Sequence, residues 1–246
     1  MLRTPGPTLE TDRLVLRPPQ AEDLPAWVAF SADEETMRYL GGAQSSSAAW
    51  RGFCTVAGAW SVRGFSMFSV IEKATGRWVG RLGPWMPEGW PGTEVGWGLA
   101  REFWGRGYAT EGARATIDYA FDALGWTEVI HCIEPDNALS RALAARLGAT
   151  LLRQARLPAP FDHVLLDVWG QSREQWRGRR SLLRYLREAG GHCVGLNAGC
   201  RRRERCAGAG IRRIPTSGEG RIARDGDELP MRNPCLPAPS VSAWVP

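Results

Sequence analysis

Apolar residues recur with two different periods along most of the chain. A strand is expected where every second residue is apolar, and a helix where apolar residues recur three or four positions apart. The clearest helix covers 109–124, whose apolar stripe ends before Gly125, a residue type that commonly follows a helix. Strands are predicted over 9–17, 65–72, 77–82, 93–99, 128–134, 150–157 and 163–169, and helices over 21–31, 48–62, 109–124 and 138–147.

The predicted elements follow the order β-α-α-β-β-β-α-β-α-β-β, with no internal repeat. Strands mixed with helices in this way predict an α+β or α/β layer fold around a mixed sheet. The pattern ends near residue 177, and beyond it 181–188 could form one or two helical turns. We therefore expect a folded domain followed by a basic C-terminal tail over 178–246 that is disordered or of low order.

The net charge of +5 comes from the arginines of this tail, because the residues before it are slightly acidic. We therefore expect no nucleic-acid partner, except through the basic tail. No apolar run is long enough to cross a membrane, and the first residues lack the apolar stretch of a signal peptide. The expected location is the cytoplasm, with no membrane partner.

The six cysteines form no C-x-x-C pair, and four of them lie in the predicted tail. Their spacing with His192 matches no common zinc site. We therefore predict free, reduced thiols and no metal.

A loop with two glycines, between a predicted strand and the strongest helix, carries the first chemical signal. Gly105 and Gly107 allow a sharp turn and the close approach of a ligand. The next helix directs free N–H groups and the positive end of its dipole toward the loop, which suits a phosphate. A plain strand-to-helix turn would explain the same residues. The chain has neither G-x-G-x-x-G nor G-K-[ST] at this place, which excludes the common nucleotide-binding loops.

The strand before this loop has one nearly bare face, because Glu94, Gly96 and Gly98 alternate with larger apolar residues. A bare strip suits the passage of a thin ligand such as a pantetheine arm. Backbone N–H groups beside the strip could polarise a carbonyl. The alternative interpretation is an edge strand that is weakened by glycine and carries a solvated glutamate.

Several short motifs follow one another along residues 9–149. They are Leu9-Glu10-Thr11-Asp12-Arg13-Leu14-Val15-Leu16-Arg17, Glu94-Val95-Gly96-Trp97, Trp104-Gly105-Arg106-Gly107-Tyr108-Ala109-Thr110-Glu111, Asn137-Ala138-Leu139-Ser140-Arg141 and Leu147-Gly148-Ala149. Together they resemble the GNAT superfamily of N-acetyltransferases, and most of all its branch that acetylates the N-termini of ribosomal proteins. The resemblance implies a mixed, mostly antiparallel central sheet flanked by helices, in a domain over 8–172.

The resemblance also implies acetyl-CoA as co-substrate, and direct attack of a primary amine on its thioester in a ternary complex. The loop would cradle the pyrophosphate through backbone N–H groups, and Arg106 would add a charge-assisted contact. Trp104 stands where most of the family has glutamine or arginine. The implied coenzyme-binding residues are Trp97, Gly98, Leu99, Trp104, Gly105, Arg106, Gly107, Tyr108, Ala109, Thr110, Asn137 and Ser140.

Two residues are candidates for catalysis. Glu94 is the candidate base, acting directly or through a water. Many members of the family carry a tyrosine acid just before the last Leu-Gly motif, but Ala144 occupies that position here. Ser140 is the nearest hydroxyl, and it shares a helix face with Asn137, whose simpler role is to cap that helix. A non-catalytic module that binds acyl-CoA is the alternative function.

The motifs do not define the acceptor amine. Ribosomal-protein N-termini, free amino acids, polyamines and aminoglycoside-like drugs all remain open. An α-amine has an ordinary pKa of about 8 against about 10.4 for lysine, so an N-terminal acceptor needs less help from a base. Trp85, Trp90 and Trp97 suit either an acceptor groove or the core, and His131 suits a structural position. The protein is expected to be a monomer or a homodimer.

Overall fold

Eight strands form one sheet in the order β1-β2-β3-β4-β5-β6-β8-β7. The structure, a computed structural model, describes residues 5–159 and 161–190. Neighbouring strands are antiparallel except β5 and β6, which are parallel. The strands are β1 (Leu9–Glu10), β2 (Leu14–Arg17), β3 (Phe68–Glu72), β4 (Trp78–Trp85), β5 (Glu94–Leu99), β6 (Glu128–Ile133), β7 (Thr150–Arg156) and β8 (Leu165–Ser172).

Helices pack on both faces of this sheet, which confirms the predicted fold class. One face carries α4 and α5, whose apolar residues pack against Val95 and Val129. The other face carries α1 and α3, which pack against Trp78 and Trp85. The helices are α1 (Leu24–Ala32), α2 (Glu34–Met37), α3 (Ser46–Arg63), α4 (Tyr108–Asp122), α5 (Ala138–Leu147) and α6 (Arg173–Gly190), with short 3-10 turns at Ala21–Asp23 and Arg101–Phe103.

The first predicted strand, over 9–17, is wrong as a single element. The structure has a hairpin there, and β1 pairs with β2 in antiparallel fashion. The N–H of Thr11 donates to the carbonyl of Leu14 at 2.9 Å, which closes the turn between the two strands. The hairpin matters for the site described below, because it brings Thr11 and Arg13 beside the start of α4.

Strand β4 continues through Pro84 to Trp85, where the sequence predicts a loop over 84–92. Proline lacks an N–H and is tolerated in a strand only where no neighbour needs that donor. Pairing with β3 ends at Leu82, so the proline interrupts no ladder on that side. The longer strand places Trp85 directly opposite Glu94 of β5.

Helix α6 is longer than the one or two turns that the sequence predicts within 181–188. It begins at Arg173, and Trp176 in its first turn is only 4% exposed. That tryptophan packs in the cluster formed by α4 and α5, and its Nε1–H donates to Asp118 of α4 at 2.8 Å. Most of the predicted tail, from residue 191 onward, lies outside the described residues, and the boundaries at 172 and 178 stay predictions.

None of the helices described is long and apolar enough to cross a membrane. In the same part of the chain, no three His, Cys, Asp or Glu side chains are grouped as metal ligands would be. Cys54 and Cys132 are free thiols, and the other four cysteines lie outside the described residues.

Candidate active site

The loop between β5 and α4 turns at two glycines whose backbone is left-handed. Gly105 has a φ of +74° and Gly107 a φ of +80°, a region that residues with a side chain rarely adopt. A Cβ at Gly105 would meet no atom within 4 Å, so the backbone angle rather than space requires glycine there. Because Gly107 directly precedes α4, the free N–H groups of the first helical turn lie next to the loop.

A carboxylate of α4 ties this loop to the β1–β2 hairpin. Glu111 accepts a hydrogen bond from the hydroxyl of Thr11 at 2.6 Å and from Nε of Arg13 at 2.7 Å. Arg13 in turn donates through Nη1 to the carbonyl of Arg106 at 2.9 Å. Burial alone would raise the pKa of Glu111, but these hydrogen bonds and the guanidinium charge hold it below its ordinary value. The glycine loop is therefore held in place from both sides.

A cavity of about 1130 Å³ lies beside the loop and the first turn of α4. All the predicted coenzyme-binding residues line it except Arg106. The Arg106 side chain lies over the ring of Phe103 and 4.0 Å from a carboxylate oxygen of Glu72. Its contact with a phosphate stays a prediction. The predicted residues that line the cavity are Trp97, Gly98, Leu99, Trp104, Gly105, Gly107, Tyr108, Ala109, Thr110, Asn137 and Ser140.

The cavity reaches the sheet where β5 and β6 diverge. The two strands pair at a single position, Glu94 with Ile130. Past that pair the β6-facing edge of β5 has no strand partner, and this is the stretch where Trp97 and Leu99 line the cavity. Strand edges offer backbone N–H and C=O groups to an extended ligand. The divergence therefore leaves an opening along the edge of β5, where backbone groups are available to an extended ligand.

The bare strip that the sequence predicts on β5 is filled by protein side chains. A Cβ at Gly96 would lie 2.9 Å from Cε of Met67. A Cβ at Gly98 would lie 3.0 Å from side-chain atoms of both Leu40 and Phe30. The prediction that this face is bare is therefore wrong, although Gly98 does line the cavity together with Trp97 and Leu99. Gly96 makes room for Met67, and Gly98 makes room for α1 and the segment after α2, whereas the opening lies along the edge of β5.

Glu94 lies on the face of β5 that carries α1 and α3, and it does not line the cavity. Its side chain is 7% exposed and accepts two hydrogen bonds, from Nε1 of Trp90 at 2.5 Å and from the N–H of Cys132 at 3.0 Å. Burial raises the pKa of this carboxyl to about 7, against the lowering effect of both hydrogen bonds and of the Arg81 charge. A carboxyl with that pKa accepts a proton near neutral pH, as a general base must.

Arg81 on the neighbouring strand carries the charge that faces Glu94. Burial lowers the pKa of its guanidinium to about 10, which leaves it charged at neutral pH. Its Nη1 lies 3.1 Å from the sulfur of Met67, and its guanidinium carbon lies 5.2 Å from the ring centre of Trp27. The face of the sheet around Glu94 therefore carries one carboxyl group, one guanidinium cation and the aromatic rings of Trp27 and Trp90.

Ser140 and Asn137 stand at the start of α5 and both line the cavity. The side-chain oxygen of Asn137 accepts from the N–H of Ser140 at 3.1 Å, so Asn137 caps the helix. The hydroxyl of Ser140 accepts from Nε1 of Trp97 at 3.2 Å, which links α5 to β5. Ala144 lies fully buried one turn further along α5. Ser140 is therefore the hydroxyl that α5 presents to the cavity.

The three tryptophans named from the sequence have different positions. Trp85 is buried in the core beneath α1 and α3. Trp90 lies partly buried in the loop after β4 and holds Glu94. Trp97 lines the cavity. Of the two interpretations, the core applies to Trp85, while Trp90 and Trp97 contact the candidate catalytic residues.

His131 is buried and pairs with the backbone of the neighbouring strand. It is 1% exposed, and its Nδ1 lies 2.7 Å from the carbonyl oxygen of Val95, so Nδ1 carries the proton and donates. Burial lowers the pKa of the imidazole to about 4, so the ring is neutral at physiological pH. Its ring centre lies 4.7 Å from that of Trp97. The predicted structural position of His131 is thus confirmed as a buried one.

Sequence reasoning did not single out the five arginines that line the cavity, which are Arg13, Arg38, Arg114, Arg146 and Arg180. Arg13 holds the loop, and Arg114 and Arg146 flank Thr110 at the start of α4, where Arg146 Nη1 lies 3.4 Å from the Thr110 hydroxyl. The position of Arg114 one turn after Thr110 was a usable signal, because residues four apart share a helix face. The other four come from distant parts of the chain and left no local signal.

Comparisons with known proteins agree with this arrangement. The profile of the family described as "Acetyltransferase (GNAT) domain" matches residues 13–150. "Uncharacterized N-acetyltransferase p20" of Bacillus licheniformis is 31% identical over 144 residues, which are 57% of this chain and 81% of that protein. The crystal structure of an acetyltransferase from Agrobacterium tumefaciens is 32% identical, with a TM-score of 0.62 over 70% of this chain and 98% of that one.

A third comparison supports the fold alone. The ribosomal-protein-S5-alanine acetyltransferase from Vibrio fischeri has a TM-score of 0.55 at 15% identity. The match covers 69% of this chain and 98% of that chain.

Proposed function

Because the chain belongs to the GNAT acetyltransferase family, we propose that it transfers an acetyl group from acetyl-CoA to a primary amine by direct attack in a ternary complex. The observation that carries the proposal is the cavity beside the glycine loop, where the predicted coenzyme-binding residues other than Arg106 meet.

The residues around the loop fit a pyrophosphate. The free N–H groups after Gly107 present donors to an anion, and the dipole of α4 favours negative charge at that end. Arg13, Arg114 and Arg146 line the same cavity and supply positive charge. Along the edge of β5, the backbone of Trp97 faces the opening and would pair with the amide groups of a pantetheine arm.

Acetyl-CoA, once bound, supplies a thioester carbonyl that an amine can attack. Backbone N–H groups at the β5 edge would stabilise negative charge on that carbonyl oxygen. Glu94, on the opposite face of the sheet, would take the proton from the amine directly or through a water, because its pKa of about 7 suits that transfer. Ser140 would donate a hydrogen bond to the departing sulfur.

We infer that a protein N-terminus is the first acceptor class to test. An α-amine is more often neutral at physiological pH than a lysine amine, so it needs less help from a base. The resemblance to the branch that acetylates ribosomal proteins favours the same class. Free amino acids, polyamines and aminoglycoside-like amines are the other acceptor classes against which it is compared. We place the reaction in the cytoplasm.

Calorimetric titration of the full chain with acetyl-CoA tests the binding step. The proposal expects saturable binding of one acetyl-CoA per chain, and no heat of binding at millimolar acetyl-CoA would contradict it. The buried Ala144, in the place of a tyrosine acid, favours the second candidate function, a module that binds acyl-CoA without turnover. Acetyl-CoA binding without thiol release, across peptides with different first residues and the comparison amines, would favour that module.

A further inference from the structure

The parallel ladder between β5 and β6 ends at its single pair, Glu94 with Ile130, and the next backbone hydrogen bond is missing. The N–H of Ile130 donates to the carbonyl of Thr93 at 2.9 Å, as that pair requires. In a ladder that continued, the N–H of Cys132 would donate to the carbonyl of Val95. That bond is absent, and the two groups that would form it both have side-chain partners instead.

The two replacement bonds come from opposite faces of the sheet. Glu94 Oε1 accepts the N–H of Cys132 at 3.0 Å on the face of α1 and α3. His131 Nδ1 donates to the carbonyl of Val95 at 2.7 Å on the face of α4 and α5. Glu94 thus binds the N–H of the missing backbone hydrogen bond, and His131 binds its C=O. The strands can diverge here without leaving a buried N–H or C=O unpaired.

We propose, resting on the proposed function, that His131 is a positioning residue which keeps the sheet open and holds Glu94 in place by occupying the Val95 carbonyl. As long as the imidazole satisfies that carbonyl, the N–H of Cys132 is free to bind the Glu94 carboxylate. Without the imidazole, the Val95 carbonyl becomes the natural acceptor for Cys132, and the ladder advances by one bond.

That advance has two consequences at the site. Glu94 loses the backbone donor that lowers its pKa, so the carboxyl becomes harder to ionise. The strands also approach each other at the edge where Trp97 lines the cavity, which narrows the opening for the acyl arm. His131 thus affects both the Glu94 carboxyl and the opening for the acyl arm. It does so through backbone pairing, because His131 itself does not line the cavity.

The state of the imidazole supports this role. A neutral ring with its proton on Nδ1 is the form that donates to a carbonyl, and burial keeps it in that form. Nε2 has no partner among the described residues, which leaves the bond to Val95 as the contact that fixes the ring. A purely space-filling role would be served as well by an apolar residue, which would bury no unpaired nitrogen.

The test follows the Glu94 carboxyl directly, in the full chain without any substrate. The protein is labelled with 13C at glutamate side-chain carboxyls, the Glu94 signal is assigned by Glu94→Gln, and its titration is followed by NMR. The groups that act on this titration are Arg81 on β4, Trp90 in the following loop and Cys132 on β6. The wild-type midpoint is expected at about 7.

His131→Leu is expected to raise that midpoint by about one unit, because one hydrogen bond to the ionised form is lost. His131→Asn, whose amide can donate to the Val95 carbonyl from nearly the same place, is expected to titrate like the wild type. If His131→Leu does not fold, His131→Gln replaces it, since its amide lies one bond too far out to make the same contact.

The matched control is Trp169→Phe. Trp169 lies directly opposite His131 on β8 and takes part in neither replacement bond. The account predicts an unchanged Glu94 midpoint for this variant. A midpoint in His131→Leu equal to that of the wild type would overturn the proposal, and so would equal shifts in His131→Leu and Trp169→Phe. Because no acetyl-CoA is present, a failure here is distinct from a failure of the proposed acetyl transfer.

Discussion

Nε1 of Trp97 donates to the hydroxyl oxygen of Ser140 at 3.2 Å, and this bond joins β5 to the first turn of α5 across the mouth of the cavity. Both residues line the cavity, and the cap provided by Asn137 holds Ser140 at the end of the helix. Because the hydroxyl accepts from Trp97, its own proton is free to point at a ligand. The contact with β5 and the position at the start of α5 together orient the Ser140 hydroxyl beside the opening in the sheet.

Ser140→Ala is expected to lower kcat about tenfold to a hundredfold, because the departing sulfur loses a hydrogen-bond donor. The KM for acetyl-CoA is expected to change little, since the cradle at the loop is untouched. Ser140→Thr keeps the hydroxyl and is the matched variant, with a kcat near that of the wild type. Steady-state kinetics with the best acceptor of the amine screen gives both constants, and equal kcat values for Ser140→Ala and wild type would remove Ser140 from the mechanism.

The activity should follow the ionisation of Glu94. Since burial raises the pKa of Glu94 to about 7 and the base must be ionised, kcat/KM is expected to rise with pH and to level off above about 7. Glu94→Gln is expected to lower kcat about a hundredfold or more, with acetyl-CoA affinity retained. Glu134→Gln is the control, because burial also raises the pKa of Glu134, whereas the proposed proton acceptor is Glu94, which Trp90 and the N–H of Cys132 hold. A pH profile in Glu94→Gln that matches the wild type would assign the base elsewhere.

Gly107→Glu is expected to abolish acetyl-CoA binding. The left-handed backbone at Gly107 strains any side chain, and a carboxylate there would repel a pyrophosphate at the start of α4. Gly125→Glu is the matched control, because Gly125 has a similar φ of +72° and does not line the cavity. Calorimetry with acetyl-CoA should show no binding for the first variant and ordinary binding for the second. Retained affinity in Gly107→Glu would rule out this loop as the cradle.

Trp176→Ala is expected to lower the stability of the whole domain. The side chain is buried against α4 and α5, and truncation of a buried tryptophan costs about 3 kcal/mol or more. Trp50→Ala is the control, because Trp50 is 54% exposed on α3. Thermal unfolding of both variants gives the comparison. Equal melting temperatures for the two would show that α6 contributes nothing to the domain.

Local signals in the sequence predicted the parts of the fold that depend on local chemistry. The cap at Asn137 and the sharp turn at Gly105 and Gly107 follow from backbone requirements of single positions, and the structure has both. The order of strands and helices followed from the periodicity of apolar residues, which is also a local property of the sequence. The set of coenzyme-binding residues came from the resemblance to the GNAT superfamily, and all of them except Arg106 line the cavity.

The errors share one cause, which is contact between distant parts of the chain. The sequence predicted a bare face on β5 at Gly96 and Gly98. Met67 and Phe30, which come from other parts of the chain, pack against that face. The extent of α6 depended on Trp176 finding a buried position against α4. Glu94 and His131 bind backbone groups of β6 and β5 only because the two strands diverge at this point. The periodicity of apolar residues does not predict where two strands diverge.

Acetyl transfer can be measured by mixing the full chain with acetyl-CoA and a peptide that carries a free α-amine, and then following peptide mass and released thiol together. The account predicts a peptide that gains one acetyl group, with one free thiol appearing for each peptide acetylated. It also predicts that Glu94→Gln slows both signals equally. An unmodified acceptor with no thiol release across the whole amine panel, from a chain that binds acetyl-CoA, would contradict it.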